Sequence, residues 1–289
     1  MILLNQQRFG GKWTEEKLNI FTEYLTSYIT ALQKQKFKKI YIDAFAGSGE
    51  IVTSDGGQEL IGSARRALGT SLKFDHYYFI EKDRSKVDNL QRIVDTEYGD
   101  LANRVTIYCG DANVKLSEII DNVDWRFSRG LLFLDPYATE VDWDTLKKTA
   151  QTKAIDMWYL FPLSALNRML TKDGNMNPKW AERIDKLLGE DAWRTEFYKQ
   201  DPQATLFDPN AEHDGNERLT KHAKPEHIKK YLINRLQSIF PCVSKHPRVF
   251  KNKKNSPLFL FCFAISNNSE KAQKLALKIA DHILKPNRK

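Results

Sequence analysis

Short apolar runs alternate with amphipathic stretches through the first 160 residues. Leu18, Phe21, Tyr24, Leu25, Tyr28 and Leu32 recur at spacings of three and four, which predicts an amphipathic helix. Thr14 stands before it as an N-cap, with Glu15 and Glu16 in the first turn. Compact apolar runs at 40–45, 76–81, 105–109, 130–135 and 155–161 read as buried strands. Helices are predicted between them over 63–68, 84–94, 116–120 and 141–150. Strands alternating with helices at this spacing mean right-handed crossovers and a parallel sheet. The pattern breaks near Asn167. Residues 168–220 are polar, with Asn-, Asp- and Pro-rich turns around a short helix at 180–188. A helix at 225–240, a strand pair at 243–250 and 258–266, and a last helix at 270–284 complete the chain. The expectation is an α/β, Rossmann-like sheet of seven strands with helices on both faces and a mostly helical insertion after the fifth strand. Its parts are 1–167 (first helix and binding core), 168–224 (an inserted segment on the rim, for substrate recognition) and 225–289 (completion of the sheet, with a basic hairpin). Residues 1–11 read as a loose arm, and Asp55-Gly56-Gly57 with Gly62 as a long turn region.

Composition narrows the class. Hydrophobic content of 41% and charged content of 28% are ordinary for a soluble domain. No apolar run is long enough to cross a bilayer, and the first residues are too few for a signal peptide, so a cytoplasmic location with no membrane partner is expected. Cys109, Cys242 and Cys262 are widely spaced without a C-x-x-C, which argues against a disulfide framework or a metal site and for buried packing. The net charge of +8 is uneven: from Lys221 onward 16 Lys or Arg face three acids, a net +13, so the first 220 residues sum to −5. Such asymmetry is the footprint of a polyanion binder or, more blandly, a solvated surface.

The chemistry gathers at strand ends. The run Tyr41 to Gly49 passes from apolar strand to glycine turn, where open α/β sheets bind nucleotides. A dinucleotide fingerprint needs a third glycine where Val52 stands, which disfavours a nicotinamide or flavin enzyme. The remaining pattern, Asp43-x-Phe45-x-Gly47-x-Gly49, resembles motif I of class I methyltransferases. The resemblance implies S-adenosylmethionine, with Phe45, Ala46, Gly47 and Gly49 around its methionine half and Asp43 on its ammonium, directly or through water. Glu81, ending the second strand, is placed to accept the ribose hydroxyls. Asp111 and Ala112, after the third, fall where that arrangement meets adenine, and Asp111 is also a helix N-cap candidate. After the fourth strand comes Leu134-Asp135-Pro136-Tyr137. Amino-methyltransferases of nucleic-acid bases carry an Asp/Asn-Pro-Pro-aromatic box there, and this one is a proline shorter. In that box the carboxylate and the proline carbonyl orient an exocyclic amine while the aromatic ring stacks on the base, a contact of about 1–3 kcal/mol. No cysteine follows this strand, so a covalent C5-cytosine mechanism is not expected.

Together with Trp13, Thr14 and Lys17, the segments Asp43-Ala44-Phe45-Ala46-Gly47, Leu134-Asp135-Pro136-Tyr137, Val141-Asp142-Trp143 and Phe161-Pro162-Leu163-Ser164 resemble the bacterial three-Cys-motif partner protein family. The family's glycine after Asp-Pro-Tyr is Ala138 here. The resemblance implies a methyltransferase-like fold, the same cofactor and a cysteine-motif partner protein. It also implies a role for Lys17, opposite the cofactor's carboxylate; the alternative is a surface lysine. Lys245, Arg248, Lys251, Lys253 and Lys254 crowd the last strand pair and suit phosphate contacts. The functional expectation is a methyltransferase acting on DNA or RNA at an exocyclic base amine such as adenine N6. The rival is a catalytically silent partner protein that keeps the fold.

Overall fold

The computed structural model describes residues 8–9, 12–53, 59–200 and 219–285. The Asp55-Gly56-Gly57 turn and most of the 1–11 arm lie outside them. In chain order the elements begin with β1 (Arg8–Phe9), α1 (Lys12–Leu32), β2 (Lys38–Asp43), β3 (Glu50–Thr53), β4 (Glu59–Ile61), α2 (Ser63–Leu68), β5 (His76–Glu81) and α3 (Arg84–Glu97). Then come β6 (Val105–Cys109), α4 (Ala112–Asn122), β7 (Ser128–Leu134), α5 (Trp143–Gln151), β8 (Ile155–Phe161), α6 (Leu163–Met169), α7 (Pro178–Leu188) and α8 (Trp193–Phe197). The chain continues through β9 (Tyr198–Gln200), β10 (Leu219–Lys221), α9 (Pro225–Ile239), β11 (Cys242–Val243), β12 (Arg248–Lys251), β13 (Pro257–Ile265) and α10 (Glu270–Leu284).

The main sheet runs β11-β13-β8-β7-β2-β5-β6, with β12 also on the outer edge of β13. The strands from β6 to β8 are parallel, and β13 is antiparallel to β8. Counting β11 and β12 as one interrupted strand, the order along the chain is third-second-first-fourth-fifth-seventh-sixth, a Rossmann-like arrangement. The chain reverses direction across the sheet between β2 and β7, and ligands of open α/β sheets bind at the carboxyl ends beside such a switch point.

Strand alternation builds two cores. One side of β2 presents Ile40 and Ile42 and the other Tyr41, and the buried residues divide accordingly. The Tyr41 face is rich in aromatic residues and is covered by α1, α2, α3 and α10; the other face is mainly aliphatic and carries α4 to α9. On α1, Phe21 stacks on Phe133 at 4.1 Å between centroids, and Tyr24 meets Trp158 edge-on at 5.2 Å. Such pairs contribute about 0.5–1.5 kcal/mol beyond the area they bury. They lay α1 along the sheet with its first turns over the carboxyl ends of the strands.

Several expectations are corrected. Thr14 lies inside α1, which starts at Lys12, and is 2% exposed rather than capping. The region after Gly49 is not all turn: β3 and β4 pair antiparallel, and part of the expected loose arm, β1, adds to β3 in parallel. The run Glu50-Ile51-Val52-Thr53 has the β-branched content that favours a strand. The strand expected at 243–250 is broken into β11 and β12, which pair with opposite ends of β13. Residues 168–220 are expected to be polar rim, but Ile184, Leu187, Leu188, Trp193, Phe197 and Tyr198 pack into the mainly aliphatic core. Cys262 is buried as expected, Cys242 partly so, and Cys109 is exposed.

Candidate functional site

A cleft of about 1320 Å³ opens over the carboxyl ends of β2, β5, β6 and β7. It is walled by the first turns of α1, the turn after β2, the starts of α3 and α4, the loop after β7, Arg183 of α7 and Phe259 of β13.

The turn Phe45–Gly49 forms the inner wall. Gly47 has φ +64 and Gly49 φ +85, left-handed backbone that favours glycine. Among the described residues, nothing lies within 4 Å of where a Cβ on Gly47 would stand. The end of β5 holds it in place. Ala46 N–H donates to the Ile80 carbonyl at 2.9 Å, and Gly47 N–H donates to Glu81 Oε2 at 3.0 Å. Asn89 of α3 donates to the Ser48 carbonyl at 2.9 Å.

Asp43 is not on the cleft surface. It is fully buried one layer beneath the wall, accepting from Phe45 N–H at 3.3 Å and Tyr41 OH at 3.2 Å. Burial pushes its carboxyl up to about 7, against the hydrogen bonds from Ser63 and Phe45, and the charge of Asp135 adds to the rise. Ser63, at the start of α2, lines the cleft directly above this aspartate.

The other three strand-end acids do line the cleft. Glu81 spends one oxygen on Gly47 and the other on Asp83 N–H at 2.9 Å. Asp83 caps α3. Asp111 caps α4, accepting from Asn113 N–H at 2.9 Å and Val114 N–H at 3.2 Å, and Ala112 follows on the wall. Asp135 stands with its side chain 23% exposed and pairs with the ammonium of Lys17, whose side chain is 4% exposed. The sequence had offered Lys17 a ligand or solvent, and the structure supplies a protein partner 118 residues away. One turn before it, the Thr14 hydroxyl lines the cleft, buried and without a hydrogen-bond partner among the described residues.

Pro136 is buried and Tyr137 is 48% exposed. The Lys86 ammonium of α3 sits 5.2 Å from the Tyr137 ring centroid. Partial burial, followed by the nearby carboxylates of Glu81, Glu140, Asp135 and Asp83, pushes the Tyr137 phenol up to about 12. Asn113 clamps the loop that carries it. Its Nδ2 donates to the Glu140 carbonyl, and its Oδ1 accepts from Asp142 N–H and Thr145 OH, all at 2.8–2.9 Å. At the far wall Arg183 pairs with Asp142 at 2.6 Å. Asn113, Asn89, Ser63 and Arg183 were not foreseen. Only Asn113, two residues after Asp111 at a strand end, stood where a motif search could find it.

The basic group divides. β13 runs antiparallel and starts beyond Phe161, the last residue of β8, so its turn with β12 lies at the cleft's edge of the sheet. Lys251, Lys253 and Lys254 are exposed there, and Lys245 is exposed before β12. Lys251 donates to Asn255 at 3.0 Å. Arg248 is committed to Glu16 of α1, with its Nε at 2.8 Å.

No family model and no curated protein matches the chain. Solved structures resemble it at low identity. A Legionella pneumophila protein of the family model DUF519 aligns with a TM-score of 0.47 and 11% identity, over 93% of this chain and 92% of that one. An O-methyltransferase from Bacillus cereus in complex with SAH gives 0.40 and 12%, over 85% and 80%. An S-adenosylmethionine-dependent methyltransferase from Clostridium acetobutylicum gives 0.38 and 14%, over 86% and 92%. Likenesses at this level say nothing of substrate, ligand or activity.

Proposed function

We propose that this chain is an S-adenosylmethionine-dependent methyltransferase acting on nucleic acid, DNA or RNA, with an exocyclic base amine such as adenine N6 as acceptor. One observation carries the reading. Glu81, Asp111 and Asp135, ending three strands of a methyltransferase-type sheet, line one cleft, with the glycine turn on its wall and Asp43 beneath it. The donor set fits the cofactor's polar groups. Lys17 and the unpartnered Thr14 hydroxyl suit a carboxylate, the Phe45–Gly49 turn with Asp43 behind it suits the methionine half, Glu81 suits ribose hydroxyls, and Asp111 with Ala112 suits adenine. When bound, the cofactor supplies an electrophilic methyl group on a sulfonium.

The chain's own part is then mostly positioning, which can remove about 7–11 kcal/mol of a barrier. Asp135 and the Pro136 carbonyl accept hydrogen bonds from the amine and aim its lone pair. Tyr137, exposed and braced by Lys86, is the stacking platform for the base. A base within a duplex must be flipped out to reach it. Lys251, Lys253 and Lys254, with Lys245 nearby, supply phosphate contacts on the cleft's side of the sheet; Arg248, held by Glu16, ties this strand pair to α1.

A second reading, a cofactor-binding partner protein without turnover, is favoured by the shortened box and by Asp135 being engaged with Lys17. It accords with the resemblance to three-Cys-motif partner proteins and would add a cysteine-motif protein as partner. Titration with S-adenosylmethionine, then incubation of labelled cofactor with DNA and with RNA, separates the two. Binding followed by label in nucleic acid is the expected result. Binding without transfer favours the silent partner, and no binding overturns the methyltransferase reading.

A further inference from the structure

We infer that Lys17 is shared between the two halves of the cleft, so that a carboxylate bound beside Thr14 and the freedom of Asp135 are coupled through one ammonium. This rests on the methyltransferase reading above. Lys17 is 3% exposed, and a lysine so buried needs a charged partner to offset its lost hydration. Asp135 is that partner. An ammonium has three N–H donors, and Asp135 occupies only part of that capacity. The Thr14 hydroxyl, one helical turn earlier and also buried on the cleft wall, has no hydrogen-bond partner among the described residues. Together they form a subsite for a ligand carboxylate. The backbone cannot adjust easily on either side: α1 is fixed by aromatic packing, and Pro136 is buried.

A carboxylate arriving at Thr14 and Lys17 therefore competes with Asp135 for one cation. Its binding loosens Asp135 and frees both carboxylate oxygens to accept from an acceptor amine. The order that follows is cofactor first, acceptor second. Lys17 is in this sense a positioning residue for Asp135 as well as a ligand contact.

Calorimetric titration of the whole chain tests this with two ligands, S-adenosylhomocysteine and 5′-methylthioadenosine; the second lacks the amino-acid end. Lys17→Met should weaken S-adenosylhomocysteine by about tenfold, the order expected for one charge-assisted contact. Asp135→Asn should tighten it by about threefold or more, because the ammonium loses its competitor. The double variant should match Lys17→Met. All variants should hold 5′-methylthioadenosine within about twofold of the wild type, which also checks that they fold. An Asp135→Asn variant whose S-adenosylhomocysteine affinity is unchanged or weaker overturns the coupling. A wild-type chain that binds neither ligand instead removes the methyltransferase reading, and the coupling with it.

Discussion

Two aspartates at opposite ends of the sheet, Asp43 buried and Asp156 half-buried, invite comparison. Asp43 is the last residue of β2, under the cleft wall; Asp156 is the second residue of β8, at the amino edge. Burial is the largest cause of shift for both, and both carboxyls are pushed up to about 7. Each accepts from a tyrosine, Asp43 from Tyr41 at 3.2 Å and Asp156 from Tyr24 at 3.0 Å. Their surroundings then diverge. Asp43 also accepts from the first residues of a glycine turn and feels the charge of Asp135, while Asp156 is eased by the Arg129 cation and is covered by α1. A perturbed carboxyl therefore does not mark a site by itself. The strand end it serves does.

The two should act alike on stability, and this is the largest effect expected. A carboxyl whose folded pKa is raised favours the fold fully below its unfolded value, and that advantage is lost as pH rises through the folded value. From 3.8 to about 7, the loss for Asp43 is at most about 4 kcal/mol between roughly pH 4 and pH 7. Asp156 keeps part of its surface in solvent, so its share is smaller. Urea denaturation should show Asp43→Asn more stable than the wild type at pH 8 and equal to it near pH 4, with Asp156→Asn following the same course more weakly. A variant less stable at pH 8 would mean that the buried carboxylate is better solvated by Phe45, Tyr41 and Ser63 than its burial implies.

The contrast between these residues also explains what the sequence could reveal. The parallel sheet was legible because short apolar runs separated by helical periods leave few alternatives, and the strand-end acids Glu81, Asp111 and Asp135 came with it. Asp43 belonged to the same motif, yet its place behind the wall depends on the turn curling back so that Phe45 N–H meets its own strand's aspartate. No spacing rule encodes that. The Lys17–Asp135 pair joins residues far apart in sequence through the packing of α1, so neither local pattern pointed to the other. The insertion misled for a plainer reason. Its polar turns dominate the composition, while Ile184, Leu187 and Leu188 form a narrow stripe that buries one face of α7.

The two edges of the sheet also differ in what their lysines should do. Lys251, Lys253 and Lys254 lie at the cleft's edge; Lys34 and Lys36 before β2, and Lys38 as its first residue, are exposed at the other. Fluorescence anisotropy with a labelled oligonucleotide over a salt series compares them. Replacing the first three by Ala should flatten the log–log salt slope by about 2–3, near one unit per lost phosphate contact. Replacing the second three should leave the slope within about half a unit. Equal slopes for both triples would return the basic C-terminal third to the status of a solvated surface.

The smallest effect returns to the aspartates and separates them by function. Asn at position 43 keeps an oxygen for Phe45 N–H and can donate to the Tyr41 oxygen, so the turn stays braced. What it removes is a negative charge beneath the subsite proposed for a ligand ammonium. One such charge, acting through a layer of protein rather than by contact, is worth about 1.4 kcal/mol, or tenfold in affinity. Asp43→Asn should therefore weaken S-adenosylhomocysteine by about tenfold above pH 7 and by less at pH 6, where the wild-type carboxyl is itself largely protonated. Asp156→Asn, at the far edge, should change the affinity by less than about twofold at either pH. If the two variants weakened the ligand equally, the loss would come from a general loosening of the sheet, and Asp43 would have no claim on the site beyond holding β2 in place.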